Sequence, residues 1–477
     1  MKKIIIFVLL ASMLVSAMSC GSEGNVTPSV TTDPSTDGEE STADILPVED
    51  FGGKSYRLVC YERVASDFIS DEVNGDIVND AVFERNAKIE ETYKVKLEFT
   101  NGGSDDDVKN YVNNSILAGD NEFDVVSQHI IHMGKMATNK LLRNWYDVPN
   151  VDFDHEWWSH CVKDNLTYND VAYIALGDVL LNGLGYAMCV FYDTEKAESY
   201  NAGDIYGMVR EGKWTFDKLK SIVKDVYTDL NGNGLSDKED FFGFCTGSGT
   251  AVNAYCWSFD NPIMRTSNGK PEYVFMNDRT HEKLASLIEF LNNSEGVYYQ
   301  SRESQTQSYD FFSNGHAMFI DGYVQASFTK FRDLKADFGM VPYPKFDENQ
   351  ENYYTLVDGA HSGLAVPVTV PDDDLGFVGL ITEALCKETK ESVVPKYYEI
   401  ALKEKYTRDD GSIEMLDLIM DSRTYDFGYI YDSWSGVLLK IENLTFADST
   451  DVASWYAGIQ SSVEAYYDTL FGLFEEK

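Results

Sequence analysis

Phe123-Asp124-Val125-Val126 reads as a short apolar strand that opens onto polar Ser127-Gln128-His129. The residues before it supply its neighbours. Val78, Val82, Arg85 and Ile89 recur at helical spacing, so Ile77 to Thr92 reads as a helix that hands the chain to a strand at Val95 to Phe99. Val108, Val112 and Ile116 mark a second helix, stopped by Gly119, and Tyr56 to Tyr61 reads as a strand ahead of both. Strands alternating with helices in this order predict α/β layers around a mostly parallel sheet. Ligands in such sheets bind beyond the carboxyl ends of the strands, and Ser127, Gln128 and His129 occupy that place.

The alternation continues downstream. Tyr173 to Leu176 and Tyr186 to Tyr192 read as strands flanking the passage Gly177-Asp178-Val179-Leu180-Leu181-Asn182-Gly183. Trp214-Thr215-Phe216-Asp217 opens a helix with Thr215 as its N-cap and Leu219, Ile222, Val223 and Val226 on its inner face. His316 to Ile320, Asp337 to Pro342 and Leu364 to Pro367 read as strands, and Leu375 to Leu385, Ile413 to Met420 and Val452 to Leu473 as helices. More than four hundred residues follow Phe51, too many for one compact core, which predicts two lobes.

The chain begins Met1-Lys2-Lys3, continues with an apolar run from Ile4 to Val15, and reaches Cys20-Gly21 through Ser16-Ala17-Met18-Ser19. That is a basic start, an apolar stretch and a small-residue cleavage site. A cysteine at the cut resembles a bacterial lipoprotein box, whose thiol is acylated, for instance by palmitate, although Ala17 stands where leucine is more usual. The competing reading is a membrane anchor, but the run is shorter than the ~20 residues a span needs. Residues 1–20 are therefore read as a signal peptide and residues 21–50, rich in Ser, Thr, Gly, Asp and Glu, as a flexible linker. The expected location is the extracellular face of the cell membrane, reached through the lipid alone.

Lys and Arg number 39 against 79 Asp and Glu, a net charge of −40. Such a chain is repelled by nucleic acid and by anionic headgroups, and its acidity weakly favours neutral or cationic ligands. The other cysteines, Cys60, Cys161, Cys189, Cys245, Cys256 and Cys386, are scattered and form no Cys-x-x-Cys pair. Buried small hydrophobes are their simplest role. A Cys245–Cys256 disulfide is open to an exported protein, but no sequence feature argues for it.

Asp229-Leu230-Asn231-Gly232-Asn233-Gly234-Leu235-Ser236-Asp237-Lys238-Glu239-Asp240 has the spacing of a twelve-residue calcium loop. Asp229, Asn231, Asn233, Asp237 and Asp240 offer side-chain oxygens, Leu235 its carbonyl, and Gly234 the sharp turn. Asp240 replaces the usual Glu, and a strand rather than a helix follows. The alternative is a metal-free turn held by Asx hydrogen bonds. A structural calcium and no organic cofactor are expected. His155-Glu156-Trp157-Trp158-Ser159-His160 falls one residue outside the zinc spacing, because histidines five apart on a helix point in different directions. Thr246-Gly247-Ser248-Gly249-Thr250 lacks the context of a nucleophile elbow.

Asn79 to Asn86, Phe123 to Val126, Glu211-Gly212-Lys213-Trp214-Thr215-Phe216-Asp217, Asn314-Gly315-His316-Ala317-Met318-Phe319 and Asp337 to Lys345 recur in one order and spacing. Through them residues 51–477 resemble the family-1 extracellular solute-binding proteins of bacterial ABC importers, especially carbohydrate-type lipoproteins. The resemblance implies an α/β fold of periplasmic-binding-protein type, with two lobes, an interlobe cleft and crossing hinge strands that close on ligand. Crossings are expected near Leu176–Leu184, Asp337–Pro344 and Tyr406–Ser412. Lobe 1 is then 51–178 with 338–405, and lobe 2 is 179–337 with 406–477. It also implies that Trp157 and Trp158 pack beside the cleft.

The same resemblance suggests cleft residues. Gln128 and His129 follow the Val126 strand, and Asp178 and Asn182 lie at the first crossing. Asn253, Tyr255 and Trp257 sit in a loop after a strand, and Asp321 and Tyr323 follow the Ala317–Ile320 strand. Asp358 and His361 precede the Leu364 strand, and Tyr431, Asp432 and Trp434 sit in an aromatic segment. Core packing competes for each, and Trp257, Asp321 and Trp434 lead. The implied function is capture of a solute, most simply an oligosaccharide, for an ABC permease, with no chemistry performed and no reason to expect an oligomer. Rivals are a surface glycan adhesin, a hydrolase using paired carboxylates, and transport of a cationic ligand such as a polyamine.

Overall fold

The computed structural model describes residues 45–247, 249–267, 269–299, 305–403 and 410–475. The expected signal peptide, Cys20 and the linker up to residue 44 lie outside the described residues. The chain divides into Met1–Ile45 and Leu46–Lys477, and the described residues of the second unit hold two larger sheets and two two-stranded ones. Among the described residues no helix is long and apolar enough to cross a membrane.

The first sheet is built as the alternation predicts. Strand Lys54–Cys60 is central and pairs in parallel with Val95–Asn101 on one side and Val125–His129 on the other. Asp76 accepts from the amides of Val78 and Asn79 to start helix Ile77–Tyr93. Ser104 and Asp107 form a capping box at the head of helix Asp105–Ala118, which Gly119 ends in the left-handed region at φ 79°. The strand expected at Phe123–Val126 runs on to His129, because Ser362–Ala365 adds an antiparallel ladder that pairs Gln128 with Gly363 and His129 with Ser362. That strand begins two residues ahead of the expected Leu364. The strand expected at Tyr173–Leu176 is reduced to one bridge between Ala175 and Leu364.

The second sheet is mixed rather than mostly parallel. Its order is Phe338–Val341, Met188–Asp193, Ala317–Tyr323, Phe241–Thr246, Tyr227–Thr228, with Val297–Tyr299 also on Phe241–Thr246. Ala317–Tyr323 runs parallel to Phe241–Thr246 and antiparallel to Met188–Asp193. Phe338–Val341 pairs antiparallel with Met188–Asp193. That ladder puts this strand in the second sheet, so the boundary drawn at residue 338 moves downstream. Thr215 caps helix Phe216–Val223 as expected, accepting from the Lys218 amide.

The crossings are displaced from their expected places. Ala187 bridges Val357, and Thr355–Leu356 pairs in parallel with Arg423–Thr424. Three segments thus lie side by side between the sheets. Leu176–Leu184 is instead a turn leading into the short helix Asn182–Gly185, and the span near Tyr406–Ser412 falls partly outside the described residues. Asn182 fastens this region. Asp67 Oδ2 accepts from its backbone amide at 3.1 Å and from its Nδ2 at 2.5 Å. Its Oδ1 accepts from the Ser362 amide at 2.7 Å. One buried amide side chain therefore joins the segment after the first strand, the approach to the first crossing and the last strand of the first sheet.

Burial raises the Asp67 carboxyl to about 6, against the opposing effect of the Asn182 hydrogen bonds and the Arg85 charge. The unfolded chain releases this proton near the ordinary value of 3.8, so the folded chain binds more protons between the two values. The stabilisation from this carboxyl is complete below the lower value and is lost as pH rises through the upper one. The stability of the native chain relative to Asp67→Asn, measured by urea unfolding, is expected to fall as pH rises across that window and to level off above it. A difference that does not move with pH refutes the assignment.

Candidate functional site

The carboxyl ends of the strands of the first sheet and the facing ends of the second converge on the crossings. After strand Lys54–Cys60, the Tyr61 hydroxyl donates to the Ala360 carbonyl, and Arg63 hydrogen-bonds Tyr186 beside the first crossing. The Tyr186 ring meets the Tyr323 ring edge-on, with centroids 5.2 Å apart. The Tyr323 hydroxyl donates to Asp358 Oδ2 at 3.0 Å. Asp358 also takes a hydrogen bond from the Thr250 side chain and lies in the field of Arg63. Burial pushes its carboxyl above the usual range, and these donors oppose the rise. This polar floor draws on both sheets.

An aromatic wall stands beside it. His129 and His132 lie at the start of helix Ile130–Thr138. Their rings are 5.2 Å apart, and Trp434 packs on both, at 5.5 Å from His129 and 4.8 Å from His132. Burial holds both imidazoles below their ordinary value, so near neutral pH the wall is uncharged. His132 Nε2 is 3.6 Å from Asp105 Oδ2. Trp434 remains 39% exposed, between buried Ser433 and exposed Ser435. Ser433 and Trp434 both take left-handed backbone conformations, φ 51° and 54°, which cost strain in residues with a side chain. Asp432 holds the loop, accepting from the Leu438 amide at 3.2 Å and the Tyr467 hydroxyl at 3.0 Å. Gly134 lets the helix approach, since a Cβ there would lie 2.3 Å from the Ile430 carbonyl oxygen.

The structure thus gathers His129 and Trp434 in one wall, and Tyr323 and Asp358 in one floor. Arg63, His132, Tyr186 and Thr250 complete the set and were absent from the sequence reading. Charge and ring type alone do not mark them, since their roles follow from strand ends that only the pairing defines. The other candidates are placed elsewhere. Gln128 is buried in the sheet, donating to the Asp105 carbonyl at 2.8 Å and accepting from the His129 amide at 2.7 Å. Asn182 is the fastening group described above. Asn253, Tyr255 and Trp257 lie on a helix, Gly249–Ser258, instead of a loop, and all three are buried. Trp257 Nε1 donates to Asp426 at 2.9 Å, and Tyr255 packs edge-on to Tyr343. Asp321 lies within its strand, fully buried, accepting from the Thr246 hydroxyl at 2.6 Å. Tyr431 is buried against Phe427, and Asp432 is buried in the capping role already given. Asp178 and His361 line a cavity of their own.

The near-zinc segment forms a clamp. Glu383 is buried on the apolar helix Leu375–Glu388. It accepts from the Trp158 indole at 2.8 Å, the Asp152 amide at 2.7 Å and the Trp157 indole. The His155 ring stacks on Trp157 at 4.2 Å. Cys245 and Cys256, like the other described cysteines, are free thiols.

In the loop from Asp229 to Asp240, Asp229 Oδ1 and Oδ2 accept from the amides of Gly232 and Gly234. Asn231 and Asn233 each accept from the amide two residues on. Asp240 turns inward, accepting from the Leu230 amide at 3.1 Å and the Tyr227 hydroxyl at 3.0 Å. Gly234 has φ 74°. Among the described residues, no group of three or more His, Cys, Asp or Glu side chains is arranged to hold a metal.

In sequence, residues 84–389 match the family described as bacterial extracellular solute-binding protein. No curated protein matches the chain. Among solved structures, a cyclo/maltodextrin-binding protein complexed with maltotetraose is similar at 14% identity and TM-score 0.55, over 90% of this chain and 98% of the other. A maltose/maltodextrin-binding domain from Bdellovibrio bacteriovorus bound to maltotriose is similar at 12% and 0.56, over 87% and 99%. An ABC substrate-binding protein from Listeria monocytogenes in complex with cycloalternan is similar at 13% and 0.54, over 87% and 99%. At these identities the likeness establishes the fold, the two-lobed α/β architecture of periplasmic binding proteins. With the family match spanning more than half its length, the chain belongs to the bacterial extracellular solute-binding proteins.

Proposed function

We propose that the protein captures an oligosaccharide between the aromatic wall and the polar floor, performs no chemistry on it, and delivers it to an ABC permease. A lipid on Cys20 would hold it at the outer face of the membrane. The observation that carries this reading is the exposed Trp434 face backed by His129 and His132, beside the Tyr186–Tyr323–Asp358 floor. Sugars present C–H patches to aromatic faces and hydroxyls to planar polar groups, and an uncharged wall beside a few placed polar groups suits them. The maltotetraose, maltotriose and cycloalternan held by the structural neighbours support the same class. Of the carboxylates a polyamine could use, Asp321 and Asp358 are buried and already hydrogen-bonded.

A thermal-unfolding screen of the full chain against oligosaccharides and polyamines tests this. Ligand at about 100 times its dissociation constant stabilises by roughly 2.7 kcal/mol. An oligosaccharide family is expected to raise the midpoint, and Trp434→Ala is expected to weaken its binding by about tenfold or more. A shift with polyamines alone overturns the sugar assignment.

We also propose that the loop from Asp229 to Asp240 binds a structural calcium through Asp229, Asn231, Asn233, Asp237, Asp240 and the Leu235 carbonyl. The curl that brings the Gly234 amide onto Asp229 supports this. Millimolar calcium is expected to raise the unfolding midpoint of the native chain and not that of Asp229→Asn. An equal response in the two, or none, leaves the metal-free turn.

A further inference from the structure

A cavity of about 400 Å³ lies against the crossings, and none of the wall and floor residues lines it. Its walls include Trp158, Asp178, His361, Lys390, Arg423 and Tyr425. They come from the segment of the Trp pair, the approach to the first crossing, the residue before the last strand of the first sheet, the helical turn Thr389–Val393, and the third crossing. The volume falls near the lower end of the ~300–1,000 Å³ typical of small-molecule sites.

One acceptor and one cation in it are underused, and a carboxylate stands beside them. His361 is 1% exposed, and its Nδ1 is 2.5 Å from the Asp358 carbonyl oxygen, which fixes the proton there. Its Nε2 is therefore a lone-pair acceptor, shielded from solvent and without a hydrogen-bond partner. Burial lowers the ring to about 4, so it stays neutral. Asp178 Oδ2 is likewise shielded, and its partner is Lys390 Nζ, 3.4 Å away. Among the described residues, the Arg423 guanidinium donates to the Met420 carbonyl at 2.9 Å and the Gly183 carbonyl at 3.4 Å, and to no carboxylate. Its charge acts on Asp178, His361 and Tyr425 alike, which sets it among the lining groups. A buried acceptor left unpaired is costly, so His361 Nε2 calls for a donor.

The geometry points to a second ligand site in this cavity, one that takes a small zwitterion of the α-amino acid class. The carboxylate of such a molecule meets the open donors of Arg423, and its ammonium donates to His361 Nε2 and Asp178 Oδ2. A guanidinium presents a planar fork to a carboxylate. A net-neutral ligand also avoids the repulsion that a chain of charge −40 exerts on free anions. The site stands apart from whatever the cleft holds, and its failure leaves the oligosaccharide reading untouched.

Calorimetric titration of the full chain with glycine, L-alanine, L-serine and L-glutamate, and separately with acetate and methylammonium, tests the assignment. At least one amino acid is expected to bind at one site per chain, and more tightly than either half-molecule. Arg423→Gln and Asp178→Asn are each expected to weaken it by about tenfold or more, with circular dichroism spectra like the native one. No binding by any amino acid to the native chain overturns the proposal. So does binding that survives unchanged in Asp178→Asn, a substitution outside the third crossing strand. Loss of amino-acid binding in Trp434→Ala, with Asp178→Asn unaffected, would place the amino acid in the cleft instead and equally overturn it.

Discussion

Three backbone segments cross between the two sheets, and each must keep its amides and carbonyls hydrogen-bonded where neither sheet extends. The structure meets this with very little material. One bridge joins Ala187 to Val357, and a two-residue ladder joins Thr355–Leu356 to Arg423–Thr424. The Asn182 side chain stands in for a strand, supplying an acceptor to Ser362 and donors to Asp67. Short pairings of this kind permit rotation where a long ladder would resist it, and so they suit a hinge. Tyr186, Asp358, His361 and Arg423 all lie within a few residues of these pairings. A change in the crossing angle would therefore move the polar floor and the separate cavity together.

The acidity of the chain has two physical meanings that its composition does not separate. Most carboxylates are solvated, but a few are buried inside shells of donors. Glu383 collects two indoles and an amide. Asp426 collects the amides of Ile263, Met264 and Gly428 and the Trp257 indole. Asp432 caps the helix Leu438–Phe446. Each organises irregular backbone that no strand or helix satisfies, which is why buried charge and buried tryptophan occur together here. These groups resemble ligand-binding chemistry in sequence because both uses need planar donors around an acceptor.

The legible part of the fold was the part governed by local periodicity. The helices Ile77–Tyr93 and Asp105–Ala118 and the cap at Thr215 follow from spacing and capping residues that act within a few positions. The direction of strand Phe338–Val341 and the extension of the third strand to His129 depend on ladders between residues far apart in sequence, and no local pattern carries that. Helix Gly249–Ser258 was hidden for a different reason. It is buried around its whole circumference, so it has no polar face and no amphipathic period to read. Trp257 and Asp321 looked like binding residues for the same reason that they are core residues, a large ring or a carboxylate in apolar company. His129 closes the third strand, and Trp434 lies in the loop between helices Phe427–Ile430 and Leu438–Phe446.

The loop that carries Trp434 shows how this wall is held ready. Two consecutive residues with side chains, Ser433 and Trp434, adopt left-handed conformations, at a cost of roughly 1–2 kcal/mol each. A free surface loop would relax. This one is fixed on both sides of the strained pair: the Tyr466 hydroxyl donates to the Tyr431 carbonyl, and Asp432 binds the Leu438 amide and the Tyr467 hydroxyl. Gly436 leaves space for that arrangement, since a Cβ there would fall 2.3 Å from Asp432 Oδ2. The strain is thus offset by buried hydrogen bonds that form whether or not a ligand is present. Its product is an indole held against the His129 and His132 rings, and a side chain ordered in advance lowers the entropic cost of any contact made on it.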